Sequence, residues 1–258
     1  MRQDFNYHTH TWRCGHAGGS DEEYIQYAIK AGFKVLGMSD HRPYRTIPRP
    51  GERMDWSLLD DYLSSMKNLK DRYSDQIDIK IGFETEYYPQ QEQEIRDLLN
   101  RVDYMILGQH YDDQYGTNDY CFYMSEAQII QYGRQVCDAM DKKLFLYAAH
   151  PDYIMYGQHA FTEACAECAD MIARKAAETE TPLEVNINGI TKGLRSYGNT
   201  RQYPYPFRQF WQIMAKYPIK CVYGFDSHDP KLLNETFMYD ETDRILEGLN
   251  LNFIDIRI

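Results

Sequence analysis

Short apolar runs alternate with amphipathic helical stretches from one end of this chain to the other, and that alternation leaves few folds open. The strand candidates are "DFNYH", "FKVLGMS" (33–39), "IDIKIGFET" (77–85), "YMILGQ" (104–109), "LFLYAAH" (144–150), "PLEVNIN" (182–188) and "KCVYGFD" (220–226), with "LNFIDI" near the end as a weaker eighth. They are short, apolar and rich in β-branched or aromatic residues, as parallel strands buried on both faces must be. Between them, "SDEEYIQYAIKAG" opens on a Ser-x-x-Glu capping box at Ser20 and Glu23 and stops at Gly32. "SLLDDYLSSMKNLKDRY", "SEAQIIQYGRQVCDAM", "TEACAECADMIARKAAETE" and "PFRQFWQIMAKY" keep the same helical period. No linker, repeat or low-complexity tract divides the 258 residues. The expectation is a single α/β domain over residues 1–258, a parallel β/α barrel that is closed or slightly distorted. A doubly wound open sheet is the alternative, disfavoured because no Gly-rich phosphate loop follows the first strand.

On that outline the histidines fall into place. His8 and His10 end the first strand, and His16 lies in the loop after it. Asp40 and His41 end the second, Glu84 the third, His110 the fourth and His150 the fifth, while Asp226 and His228 end the seventh. Strand carboxyl ends converge on one face of a β/α barrel, where active sites are built. Any one of these residues alone reads as ordinary: an H-x-H pair is common, and a lone histidine is more often a hydrogen-bonded core residue. Histidines at five separate strand ends are not a coincidence of that kind, and they predict a metal site. His159, in "YGQHAF", lies off any strand end and reads as a loop residue.

Residues i and i+2 of a strand share a side, so His8 and His10 can face one ion, as can Asp226 and His228. Nine donors exceed the needs of one metal. Imidazole-rich sets with a few carboxylates favour zinc, iron or manganese, and the count suggests two or three divalent ions with Glu84 as a bridge. No organic cofactor is expected.

The formal net charge is −11, which disfavours nucleic acid as a partner. A small anion could bind only where a local positive centre overrides that field. Three divalent ions beside Glu84 and Asp226 would leave such a centre at about +4. Neither a signal peptide nor an apolar run of spanning length is evident, so a cytoplasmic location with no membrane partner is expected. The six cysteines then read as thiols, and Cys165 and Cys168 as helix-packing residues.

The segments "HTHTWRCGH", "SDH", "GFETEYYP", "LGQH", "AAHPD" and "GFDSH" resemble, in order, the ligand pattern of the polymerase-and-histidinol-phosphatase (PHP) superfamily. This resemblance implies a distorted seven-stranded, TIM-like (β/α)7 barrel and a trinuclear centre. His8, His10, Glu84 and Asp226 would hold one ion, Glu84, His110 and His150 the second, and His16, His41 and His228 the third. Asp40 would orient an imidazole. Within the superfamily the chain is most similar to the histidinol-phosphate phosphatases, with Glu86 where their "GFETEYYP"-like segment has Asp. "LEVNINGITKGLRS" followed by "YPYP" resembles another of their segments, with Thr191 at an expected Arg, Lys192 beside it and Arg195 further on. After "HPDYI", Met155 and Tyr156 stand where a Lys-Arg pair is frequent.

Hydrolysis of L-histidinol phosphate by a hydroxide bridging the ions is therefore implied. Glu84, His110 and Asp226 would lie at the catalytic centre, with Lys192 or Arg195 as a phosphate clamp. Another small phosphomonoester is the alternative substrate. A nuclease is disfavoured by the charge, and an amidohydrolase-type enzyme by the lack of a bridging Lys.

Overall fold

A computed structural model describes residues 3–258. Strands β1 (Phe5–Asn6), β2 (Val35–Met38), β3 (Asp78–Thr85) and β4 (Tyr104–Leu107) form a four-stranded parallel sheet in chain order. Further along lie β5 (Leu183–Asn186), the hairpin strands β6 (Arg195–Tyr197) and β7 (Thr200–Gln202), then β8 (Lys220–Gly224) and β9 (Asn252–Phe253). A second parallel group pairs β5 with β8 and β8 with β9. Isolated parallel bridges join the two groups on both sides. Ala148 pairs with Leu107 and with Leu183, while Thr9 pairs with Ser227. The result is a curled parallel α/β sheet.

Helices α1 (Asp21–Ala31), α2 (Leu59–Arg72), α3 (Glu92–Leu99), α4 (Glu126–Asp141), α5 (Glu163–Thr179), α6 (Arg208–Met214) and α7 (Phe237–Leu246) connect the strands. The expected box caps α1: Ser20 accepts from the Glu23 amide, and the Glu23 side chain accepts from the Ser20 amide. Gly32 closes the same helix at φ 87°, a left-handed position that costs glycine nothing. Helices α3 and α7 and the β6–β7 hairpin are additions to the elements read from the sequence.

Segment 144–150 departs from the expected strand. Its ladder is two-sided, with Leu146 N donating to Met105 O, Ala149 N to Leu107 O and Glu184 N to Ala148 O. Yet Lys143 and His150 at its ends hold φ of 54° and 29°. Pinched between two positive-φ residues, the segment keeps only isolated bridges. Among the described residues no helix is long and apolar enough to cross a membrane. All six cysteines are free, Cys165 and Cys168 being buried on α5.

Alternation along the strands makes two apolar faces. Leu36, Met38, Met105, Leu107 and Cys221 join the large core beneath the helices. Phe5, Val35, Tyr104, Ile106 and Val222, with Tyr7 and Tyr147, form a smaller cluster on the face turned away from them. Gly37 of β2 and Gly82 of β3 lie against the Tyr104 ring, whose hydroxyl donates to Tyr7 O at 2.7 Å. A methyl group at Gly37 would collide with that hydroxyl and approach Tyr7 Cδ1 to 2.8 Å. Gly37→Ala should therefore destabilise the fold by about 1–3 kcal/mol, the usual cost of overpacking a filled interior, read as a lowered urea midpoint at unchanged slope.

Candidate metal centre

β3 delivers Glu84 to the middle of the site, where its carboxylate is 2% exposed and five imidazoles face it. His150 Nε2 lies 2.7 Å from Glu84 Oε1, His8 Nε2 and His110 Nε2 each 3.4 Å from the same oxygen. His41 Nδ1 is 3.0 Å and His10 Nε2 3.6 Å from Oε2. Asp226, beyond β8, stands opposite, with Oδ1 3.0 Å from His10 Nε2 and 3.5 Å from His8 Nε2. His228 stacks on His10 with ring centroids 3.9 Å apart and on His16 at 4.8 Å. The fold thus brings together all nine candidate donors, seven of them histidines. His159 is elsewhere, stacked on Tyr123.

The donor atoms suit divalent ions. His8 Nε2, both ring nitrogens of His10, Glu84 Oε2 and His150 Nδ1 are buried yet make no hydrogen bond. Buried polar atoms without partners are costly unless something else coordinates them. Several triads have donor atoms within 4.8 Å of one another, including His8–His10–Asp226, His8–Glu84–His150 and His10–His41–His228. Cys14 joins His16 and His228 in a further such triad, a residue the sequence reading did not single out for the site. Two candidate ligands hold left-handed backbones, His150 at φ 29° and Asp226 at φ 45°. Each costs about 1–3 kcal/mol in a non-glycine residue, strain of the kind that clusters at functional sites.

The electrostatics follow from this crowding. Burial opposes ionisation of Glu84, but the fields of His110, His8 and His41 and a hydrogen bond from His150 hold its carboxyl well below the usual range. Asp226 behaves alike: burial is outweighed by His8, His10 and His228. For His10, burial is outweighed by the nearby carboxylates of Asp226, Asp40 and Glu84, which push it up to about 9. His228 goes the other way, to about 3, through burial and the nearby charge of His10. Burial, with His10 beside it, also keeps His41 well below its ordinary value. Both carboxylates are thus ionised, as metal ligands must be, while the same carboxylates raise His8, His10 and His110 against their burial, so metal binding there would release protons.

Outer residues aim these groups. Glu184 of β5, fully buried, takes His8 Nδ1 at 2.8 Å and leaves Nε2 facing inward. His110 Nδ1 lies 3.3 Å from Glu86, which Arg53 grips with two bonds of 2.8 and 2.9 Å and Tyr44 with one of 2.7 Å. Asn186 and Asn188 each donate to Asp226 Oδ2 at 3.3 Å. Asp40 accepts from Thr11 Oγ1 and from His41 N, with Oδ1 3.6 Å from His10 Nδ1. Glu184, Asn186, Asn188 and Arg53 escaped the sequence reading. A signal for the first three existed: polar residues at every second position of an otherwise apolar strand.

A cleft of about 420 Å³ opens above the cluster, walled by Tyr153, Tyr156, Tyr205, Arg53, Asp119 and Lys192 among others. Lys192 thus reaches the wall. Arg195 stands one layer out, its Nη1 donating to Tyr156 O at 3.0 Å and its guanidinium carbon 3.8 Å from the Tyr156 ring centroid. Met155 is fully buried, so of the pair where lysine and arginine were expected only Tyr156 meets the cleft.

A curled parallel α/β sheet whose strand ends carry seven histidines around two buried carboxylates defines a class of protein built to hold divalent metals. The family described as PHP domain matches residues 6–188, and the chain belongs to it. Asp226 and His228 lie beyond the matched segment, and the fold returns them to it. A Deinococcus radiodurans protein named "Probable histidinol-phosphatase" is 31% identical over 114 residues, 43% of this chain and 44% of that protein. A Schizosaccharomyces pombe protein of the same name is 24% identical over 253 residues, 86% of this chain and 80% of that protein. The chain therefore matches under half the length of the first relative. Among solved structures, histidinol phosphate phosphatase from Lactococcus lactis, complexed with zinc, L-histidinol and phosphate, superposes with a TM-score of 0.72 at 18% identity. That superposition covers 98% of this chain and 95% of that one.

If Glu184 fixes the His8 ring for metal, Glu184→Gln should lower zinc affinity by about 10- to 100-fold, measured by competition with a chromophoric chelator. Unchanged affinity would show that His8 needs no such partner.

Proposed function

We propose that this protein is a metal-dependent phosphomonoesterase that hydrolyses L-histidinol phosphate to L-histidinol and phosphate. It works as a single PHP unit over residues 1–258. In this reading β1, β2, β3, β4, the 146–149 segment, β5 and β8 close into a distorted (β/α)7 barrel, with the bridges at Ala148 and Thr9 as its weakest seams. The observation that carries the proposal is the convergence of nine donors, Glu84 among them at the centre, at the floor of one cleft. The names of the two relatives and the ligands of the Lactococcus structure support the substrate.

Three sets of residues would hold the ions: His8, His10, Glu84 and Asp226; Glu84, His110 and His150; and His16, His41 and His228. Zinc, iron or manganese suits them. Such ions, when bound, supply a nucleophile from water at neutral pH and positive charge for the phosphoryl and departing oxygens. The protein's own contribution is placement. Glu84 stays ionised among imidazoles and ties the first two sets together. Glu86 and Arg53 lock the His110 ring, and Asn186 with Asn188 lock Asp226. Lys192 brings an ammonium group to the cleft wall for a phosphoryl oxygen. Tyr153 and Tyr205 screen the cluster from bulk water.

The test is phosphate release from L-histidinol phosphate, a panel of other phosphomonoesters and an oligonucleotide, using protein loaded separately with manganese, iron and zinc. A clear preference for L-histidinol phosphate is expected, and faster turnover of another ester would reassign the substrate. Glu84→Ala should reduce the rate by about 10³-fold, the scale on which loss of a charge-organising group acts, and should release bound metal. Near-normal activity with full metal content would refute the bridging role.

A further inference from the structure

Five carboxylates line the cleft, and four of them are already engaged. Glu84 and Asp226 sit among the imidazoles, Glu86 is held by Arg53, and Glu52 pairs with Arg49 and accepts from Tyr111. Asp119 differs. Among the described residues no lysine or arginine forms an ion pair with it. Its Oδ1 accepts from Cys121 N at 2.7 Å and lies 3.5 Å from the Tyr153 hydroxyl, and the Cys121 thiol is also at hand, so its neighbours are an amide, a phenol and a thiol rather than a cation.

Its position is set by the candidate metal centre. Asp119 pairs with Tyr111 in an antiparallel bridge, and Tyr120 N donates to His110 O at 2.8 Å. The Tyr153 ring lies 5.2 Å from His110 and 5.1 Å from His150, and its hydroxyl points to Asp119. One phenol ring therefore spans the distance from cluster to carboxylate. Tyr111, Tyr153 and Tyr156 supply aromatic walls in the same cleft.

A free carboxylate there repels every phosphate ester, and so selects against any substrate that brings no compensating cation. We propose that Asp119 is a specificity-determining residue that binds a protonated amine on the leaving alcohol, so that the cleft selects phosphomonoesters of cationic alcohols over those with neutral or anionic ones. The substrate then lies across the cleft as a dipole. Its phosphate is at the histidine cluster and Lys192, its ammonium is at Asp119, and its body lies against the tyrosines. This assignment rests on the phosphomonoesterase reading.

Asp119→Asn tests it, since the amide oxygen can still accept from Cys121 N. Zinc-loaded wild type and variant are compared on L-histidinol phosphate and on phenyl phosphate, whose leaving group carries no cation. Binding of L-histidinol alone is measured by calorimetry. The expected result is a rise of about 10- to 100-fold in KM for L-histidinol phosphate with kcat little changed. KM for phenyl phosphate should be unchanged or lower, and L-histidinol binding should weaken by the same factor as the KM rise. Equal losses on both esters, or no change on either, would overturn the assignment. Should wild type hydrolyse neither ester, the phosphomonoesterase reading fails on its own. Asp119-dependent binding of L-histidinol would then still uphold the role given to Asp119, and binding indifferent to the substitution, or absent, would refute it.

Discussion

The contact of one buried carboxylate with five imidazoles organises the rest of the molecule. Glu84 is held in the sheet by its own backbone, which accepts from Arg42 N at 2.9 Å and donates to Ser39 O at 3.0 Å. Its side chain fits only because the neighbouring strand end carries Gly108, where any Cβ would overlap the carboxylate. Gly224 makes the same room for Glu184 on the other side of the site. Placing two acidic side chains in the interior thus required two positions without side chains. It also required strand ends close enough for histidines from β1, β2, β4 and the segment after residue 144 to reach a common point. A carboxylate so enclosed would be prohibitively costly to bury alone; the ring of imidazoles is what keeps it ionised.

Outward from that centre, charge is matched layer by layer. His110 meets Glu86, Glu86 meets Arg53, and Tyr44 lies between Arg53 and Arg42 with guanidinium carbons 4.3 and 4.2 Å from its ring. Arg42, itself fully buried, ends the series on Glu94 at 2.7 Å. A path of alternating charge and aromatic ring therefore runs from the candidate metal centre towards α3. Ring faces stand in for some of its hydrogen bonds, since Arg42 Nε and Nη2 and Arg53 Nε are buried without a hydrogen-bond partner. Glu86, a buried carboxylate beside the cluster, is in this way matched by Arg53.

How much of this could be read from the sequence depended on whether the signal was local. The capping box at Ser20 and Glu23, and the strand ends bearing His41, Glu84 and His110, are visible because burial and polarity change abruptly over a few residues. The nine donors could be gathered on one face because parallel strands share a direction. Segment 144–150 misled for the opposite reason. Its apolar run is a fair strand, but its φ values at Lys143 and His150 are set by tertiary bridges and by the site itself. Helix α7 is as amphipathic as the helices that were read and could have been found, whereas the β6–β7 hairpin strands, three residues each, are too short for a period to show. Glu184 was invisible as an orienting group because nothing in its own segment says that His8, 176 positions away, will lie beside it.

Substitution where a basic pair was expected carries a consequence for the cleft. With Met155 in the core and Tyr156 on the wall, Arg195, one layer out, is turned to a backbone carbonyl and an aromatic face. A guanidinium so engaged gives up part of its capacity for a second anion. Positive charge in the cleft is therefore concentrated at the histidine cluster and Lys192, while the tyrosines offer area without charge. An anion recognised mainly by the metal centre can sit in one orientation only if its other end is also held, and in this chain the group free to hold it is acidic. Loss of peripheral arginines and retention of an unpaired aspartate thus act in the same direction. Under the proposed phosphomonoesterase function, both would reduce the attraction for phosphate as such and leave discrimination to the organic part of the substrate.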